Sequence, residues 1–246
     1  MERELTGRVC VVTGASSGIG EATARAFAAA GANVALLARR TERVQALAEE
    51  LGERALPLEA DVRDLAALRE AADRIRGRFG RVDCLVNNAG VMLNSPFRAG
   101  LVEEWRTMVE TNLLGVLYAT HVFVEDLCAG GGDVVNLSSV AGRTARPDSN
   151  VYNATKHGIT GWSEALRQEL LAEDVRVSCV EPGAVATELP EHISHEQTRQ
   201  DAAAFYGGAI EILQPEDIAS LIVYAVTAPE RVSINEVLVR PLRQVL

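Results

Sequence analysis

The sequence predicts one α/β domain, a doubly wound, parallel, seven-stranded sheet with helices on both faces. Three observations lead there. Short runs rich in Val and Leu alternate along the chain with longer amphipathic stretches. The short runs, such as Val9 to Val12, are apolar at successive positions, so both faces of each strand should be covered. No Pro/Gly/Ser-rich linker, internal repeat or low-complexity tract divides the 246 residues, and a 48% hydrophobic composition suffices for one large core.

The first strand, 8–13, ends at Thr13, and the turn Gly14-Ala15-Ser16-Ser17-Gly18-Ile19-Gly20 follows at once. Gly14 permits a tight turn, Gly18 lets backbone approach a pyrophosphate, and Gly20 allows close helix–strand packing. The helix at 18–30 then offers free N–H groups and its positive dipole end to phosphates. The spacing is G-x-x-x-G-x-G rather than G-x-G-x-x-G, so a generic glycine turn is the alternative here. The second strand, 33–38, bears on the cofactor. NAD enzymes place an acid about 20 residues beyond the glycines to hold the ribose hydroxyls. No Asp or Glu lies between Glu21 and Glu42; Arg39 and Arg40 stand at the strand end, where guanidinium groups suit a 2′-phosphate. NADP(H) is therefore the expected cofactor, with a solvated basic turn as the alternative.

Helix 41–51 leads to strand 55–60, closed by Asp61-Val62. Asp61 is either a site acid or the cap or turn acid before helix 64–79. Strand 82–87 runs into Asn88-Ala89-Gly90. A helical run at 101–128 holds Asn112 in its interior, where Asn is a mediocre helix former. Strand 132–138 is followed by Ser139, which period-two alternation places opposite Ser138. Helix 150–172 carries Tyr152 and Lys156 on one face. The lysine charge there can lower the tyrosine pKa from its ordinary ~10 and make the phenol a useful proton donor. Strand 175–181 ends at Glu181-Pro182-Gly183, and the longest irregular stretch, 183 to about 200, begins there. Its place at a strand's carboxyl end makes 183–205 a candidate lid, expected to bury little and open readily. Helix 215–227 and strand 235–240 complete the chain.

A net charge of −10 argues against nucleic acid or an anionic membrane as partner. Cys10, Cys84 and Cys179 fall in strand-like runs, Cys128 ends a helix-like one, and none forms C-x-x-C, which suits reduced thiols. The apolar run after Met1-Glu2-Arg3-Glu4 is too short for a signal peptide core, so a soluble, cytoplasmic protein is expected. His192 and His195 lack a supporting Cys or carboxylate cluster, and no metal is expected. Serine hydrolysis is disfavoured, since Gly-x-Ser-x-Gly is absent and no histidine is placed for a triad.

Taken together, the glycine turn, Asn87-Asn88-Ala89-Gly90, Asn112, Ser138-Ser139 and Tyr152-Asn153-Ala154-Thr155-Lys156 come in a telling order. Tyr152 lies 13 residues after Ser139. This pattern resembles the short-chain dehydrogenase/reductase family across nearly the whole chain. The resemblance implies a Rossmann fold and four catalytic residues, Asn112, Ser139, Tyr152 and Lys156. Ser139 would donate to a carbonyl oxygen, Tyr152 would act as acid or base, and Lys156 would tune Tyr152 and hold the nicotinamide ribose. Asn112 would break its helix locally and hold a water that relays protons. The cofactor would contact Gly14, Ser16, Ser17, Gly18, Ile19 and Gly20, then Arg39, Arg40, Asp61, Val62, Asn88, Ala89 and Gly90. Beyond β-strand 175–181 it would contact Pro182, Gly183, Val185 and Thr187. Met92-Leu93-Asn94, Val140 and Ala141 would line the substrate side.

Within the family the chain is similar to NADP-dependent reductases such as clavaldehyde reductase and the 3-hydroxy acid or serine dehydrogenases. The similarity lies in Thr111-Asn112-Leu113-Leu114-Gly115, Thr187-Glu188-Leu189, His192 to His195, Tyr224 to Pro229 and Val239-Arg240-Pro241. The last departs from the Val-Asp-Gly-Gly ending of many members and so disfavours a 3-oxoacyl-thioester reductase. The expected activity is NADPH-dependent reduction of a small ketone or aldehyde to an alcohol, in a homotetramer built on helices 101–128 and 150–172. A non-catalytic NADP-binding regulator is the alternative of a different class, and the intact acid–base set argues against it.

Overall fold

Neighbouring apolar residues on a strand point to opposite sides of a sheet, and the core divides on that rule. The computed structural model describes residues 4–245; residues 1–3 and 246, the ends of the expected domain, lie outside the described residues. The strands are β1 (Val9–Thr13), β2 (Asn33–Ala38), β3 (Ala55–Glu59), β4 (Cys84–Asn87), β5 (Asp133–Leu137), β6 (Arg176–Pro182) and β7 (Glu236–Val239). The helices are α1 (Gly18–Ala29), α2 (Thr41–Leu51), α3 (Leu65–Phe79), α4 (Val102–Val109), α5 (Gly115–Cys128), α6 (Asn150–Glu169), α7 (Glu196–Ala204) and α8 (Pro215–Thr227). All neighbouring strands pair in parallel, in the order β3-β2-β1-β4-β5-β6-β7.

Cys10, Val12, Val34, Leu36 and Val86 face one side, against Phe27 of α1, Leu47 of α2 and Ile222 of α8. Val11, Ala35, Leu37, Leu85 and Val134 face the other, against Ile75 of α3, Phe123 of α5 and Leu166 of α6. Phe27 and Phe123 are fully buried, one in each layer; truncating either to Ala would cost about 3–5 kcal/mol. From β1 the chain builds outward to β3, then crosses back to lay β4 on the other flank of β1. That reversal opens a crevice at the carboxyl ends of β1 and β4, where α/β sheets bind ligands.

By periodicity 101–128 reads as one helix, and α4 and α5 are joined by a π-helical turn, Glu110–Leu114, centred on Asn112, the local break that the resemblance implies. One expectation needs correction: the stretch 183–200 is not irregular, because it contains a short 3₁₀ turn at Leu189–His192 and most of α7. None of the α7 side chains is buried, so it leaves no apolar period in the sequence. Among the described residues no helix is long and apolar enough to cross a membrane.

Candidate active site

A cavity of about 540 Å³ occupies the crevice, within the range of small-molecule and cofactor sites. Its floor is the glycine turn. Gly14 has φ +67°, and a Cβ there would stand 2.8 Å from Ala89 Cα. A Cβ on Gly20 would lie 2.4 Å from the Gly14 carbonyl oxygen, so the third glycine is what lets α1 pack on the turn. Ser17 precedes α1 in extended conformation without capping it by its side chain, leaving first-turn N–H groups directed at the cavity. Ser16, Ser17, Gly18 and Ile19 all line it.

Asn88 braces this floor rather than only facing a ligand. Its Nδ2 donates to the carbonyls of Thr13 (3.0 Å) and Gly14 (3.2 Å). Thr13 Oγ1 in turn accepts from the N–H groups of Asn88 (3.0 Å) and Ala89 (3.1 Å). The ends of β1 and β4 are thereby stitched together, with Ala89 and Gly90 in the cavity wall.

Arg39 and Arg40 part company. Arg40 lies across the glycine turn, with Nε on Ser16 Oγ (3.1 Å), one terminal nitrogen on Ser17 Oγ (2.6 Å) and the other on Glu188 (2.7 Å). Arg39 lies near enough to Asp61 to help lower its pKa and also lines the cavity. Asp61 does not cap α3; Asp64 does, accepting from Ala66 N (2.8 Å) and Ala67 N (3.1 Å). Instead Asp61 takes the side chain of Arg63 with both oxygens, which holds its carboxyl below the usual range. Val62 fits against Gly115, where a Cβ would come within 2.6 Å.

Three of the four polar residues singled out in the sequence, Ser139, Tyr152 and Lys156, line the cavity, while Asn112 is buried outside its lining. Tyr152 and Lys156 share a face of α6, and Ser139 stands beyond the end of β5. A buried polar row orients α6: Asn87 donates to Asn136 (2.8 Å), which donates to Ser163 (2.9 Å) on that helix. Ser138 is spent on Lys156 O (3.1 Å) and Thr160 Oγ1 (2.8 Å), so Ser139 is the hydroxyl turned to Tyr152. Asn112 clips the loop after β4, accepting from Val91 N and donating to Val91 O, both at 2.8 Å.

The tyrosine differs from the sequence reading. Burial pushes the Tyr152 phenol up, and a hydrogen bond with Ser139 offsets only part of this. Lys156 does not lower it here: its Nζ sits 5.7 Å from the ring centroid and donates to Leu137 O at 2.7 Å. Burial brings the lysine itself down from 10.5 to about 8.

On the facing side, Pro182, Gly183, Val185 and Thr187 line the cavity. Gly183 N donates to Val239 O (2.7 Å), and Val185 bridges Leu213. The segment beyond is better anchored than its composition suggested. Ile193 is only 2% exposed and packs with Met92, Met108 and Tyr152, and Ser194 hydrogen-bonds Glu104 of α4. His195 caps α7, accepting from Thr198 N, and His192 lines the cavity. Met92, Asn94, Val140 and Ala141 line it too, whereas Leu93 packs into the neighbouring apolar cluster.

The family model for short chain dehydrogenases matches residues 8–198. The chain belongs to the short-chain dehydrogenase family. It is 40% identical over 242 residues to sulfoacetaldehyde reductase 2 of Chromohalobacter salexigens, covering 96% of this chain and 95% of that one. It is 36% identical over 238 residues to an NADP-dependent 3-hydroxy acid dehydrogenase of Salmonella typhi, covering 96% of each. Among solved structures, the closed form of serine dehydrogenase complexed with NADP+ superposes with a TM-score of 0.91 at 34% identity, over 97% of this chain and 96% of that one.

Several residues of this short-chain dehydrogenase that shape the site had not been marked in the sequence. Arg146 and Tyr206 line the cavity, with the Arg146 charge acting on the Tyr206 phenol and Tyr206 on Tyr152. Gln244 accepts from Ala184 N at 2.8 Å. Arg43 joins Arg40 on Glu188 at 2.6 Å. Only Glu188 had a sequence signal, its place beside Thr187.

Proposed function

We propose that this short-chain dehydrogenase reduces a ketone or aldehyde to an alcohol with NADPH, with Tyr152 as proton donor. The observation that carries the reading is the buried Tyr152 phenol, which lines with Ser139 the cavity floored by the glycine turn. A raised pKa keeps that phenol protonated at neutral pH, the state a donor needs in the reductive direction. Ser139 would steady the carbonyl oxygen as it gains charge, and Tyr152 would deliver the proton to it. Lys156, titrating near 8, holds a proton at neutral pH with which to resupply the tyrosine. Asn112 has both ends of its amide engaged by Val91, so a water relay there would use its main-chain carbonyl.

The residues fit a dinucleotide. Bare glycine positions and open N–H groups at α1 suit a pyrophosphate, and Arg39 at the end of β2, with no acid beside it on that strand, suits a 2′-phosphate. When bound, the reduced nicotinamide supplies the hydride; Pro182, Gly183, Val185 and Thr187 would hold it and Lys156 its ribose. The NADP-dependent relative and the NADP+-bound neighbour support this choice. Their substrates, and that of the sulfoacetaldehyde reductase, support a small, polar carbonyl compound.

A screen of carbonyl compounds followed by NADPH absorbance tests the reading. With a substrate in hand, Tyr152→Phe should fold, bind NADPH and lose about 10²-fold or more of its turnover. Turnover close to wild type in that variant would refute the acid–base assignment. NADPH binding with no turnover of any carbonyl would favour a regulator instead.

A further inference from the structure

Two stretches far apart in sequence meet at one carboxylate. Glu188, in the segment after β6, takes Arg40 at the end of β2 (2.7 Å) and Arg43 in the first turn of α2 (2.6 Å). All three Arg40 nitrogens are committed, to Ser16, Ser17 and Glu188. Two of those partners are neutral hydroxyls that a phosphate could accommodate; the third is an anion. Both arginines hold the Glu188 carboxyl far down, at about 2, with the hydrogen bond from Arg43 the larger cause. The side chain is therefore charged at any working pH.

We propose that Glu188 competes with the cofactor's 2′-phosphate for Arg40, so that this one carboxylate sets how strongly the enzyme prefers the phosphorylated cofactor. The proposal rests on the NADP(H) reading above. Arg39, Arg40 and Arg43 bring three positive charges to the end of β2, and Glu188 cancels one of them. A phosphate dianion arriving there must either take Arg40 from the carboxylate or sit beside it against like-charge repulsion. All three side chains of the cluster are a third to a half exposed, with relative areas of 40%, 50% and 34% for Arg40, Arg43 and Glu188. Solvent screens such pairs enough for exchange to be easy. The same contact ties the segment after β6 to α2. Beside Glu188, the Thr187 methyl lies 2.9 Å from where a Gly18 Cβ would stand. Release of Glu188 therefore loosens the wall over the start of α1.

The test uses Glu188→Gln, which keeps the shape and removes the charge, with 2′,5′-ADP and 5′-AMP as probes in calorimetry at low salt. The variant should bind 2′,5′-ADP about fivefold tighter than wild type, the scale of one exposed ion pair, with 5′-AMP changed less than about twofold. It should also exchange amide hydrogens faster over 184–193 without ligand. Unchanged 2′,5′-ADP affinity overturns the proposal; weaker binding overturns it too, because Glu188 would then be positioning Arg40 for the phosphate. If wild type and variant alike fail to favour 2′,5′-ADP over 5′-AMP, the NADP(H) reading falls along with it.

Discussion

Lys156 is a cation held 6% exposed beside a tyrosine, and its burial has a consequence for stability. In the unfolded chain a lysine keeps its proton to about 10.5; in the fold Lys156 loses it near 8. Between those values the unfolded state binds more protons, so stability rises with pH across that window. Tyr152, whose raised pKa acts in the opposite sense, enters only above its ordinary 10. Urea unfolding at pH 7 and 9.5 should therefore show wild type gaining about 2 kcal/mol relative to Lys156→Met. A constant difference would mean that the lysine titrates normally.

Arg39 is the freer of the two expected phosphate ligands. Arg39→Ala should weaken NADPH about tenfold or more, a charge-assisted bond, while leaving NADH nearly unchanged. Equal losses with both cofactors would remove it from the 2′-phosphate site. Such residues were readable because chemistry fixed their spacing: Tyr152 and Lys156 one helical turn apart, arginines where an acid would otherwise stand. The Arg43–Glu188 contact was not, since the two residues are 145 apart and, although Glu188 stands in a recognised stretch, nothing in the sequence names its partner.

Between α4 and α5 the π-turn spends one extra residue to aim the Asn112 amide at Val91. Apolar spacing runs through it unbroken, which is why 101–128 read as one helix. The segment 183–205 escaped for the opposite reason, because α7 buries nothing. Its hold on the body runs through Ile193, Ser194–Glu104 and Glu188. We expect those few anchors to release together and to tighten around bound ligands, so amide protection over 183–205 should rise when NADPH and a substrate analogue are added. Full protection before ligand would make the segment a fixed wall. Ile193→Ala should lower whatever protection exists, by opening a void beside Met108 and Tyr152.

Across the whole sheet, strand positions were the easiest part to read, because a parallel sheet covered on both sides demands uninterrupted apolar runs. Subunit association was harder. Apolar residues of the two helices expected at the interface are partly core: Leu166 of α6 is buried, and Val122 and Trp162 pack against the same cluster. What α4 leaves outside is Val102 and Val109, 53% and 38% exposed. We propose a homotetramer burying this helix region; light scattering at micromolar concentration should give about four times the 26.4 kDa chain mass. A chain-sized particle would rule it out.

Gln244 gives the fold one more property. By accepting from Ala184 and filling the space over Gly183, it brings the segment after β7 into the cavity wall. That part of the wall is closed by a contact between residues 60 apart in sequence. The loop after β6 and the segment after β7 must therefore order together, and neither can shape the cavity alone.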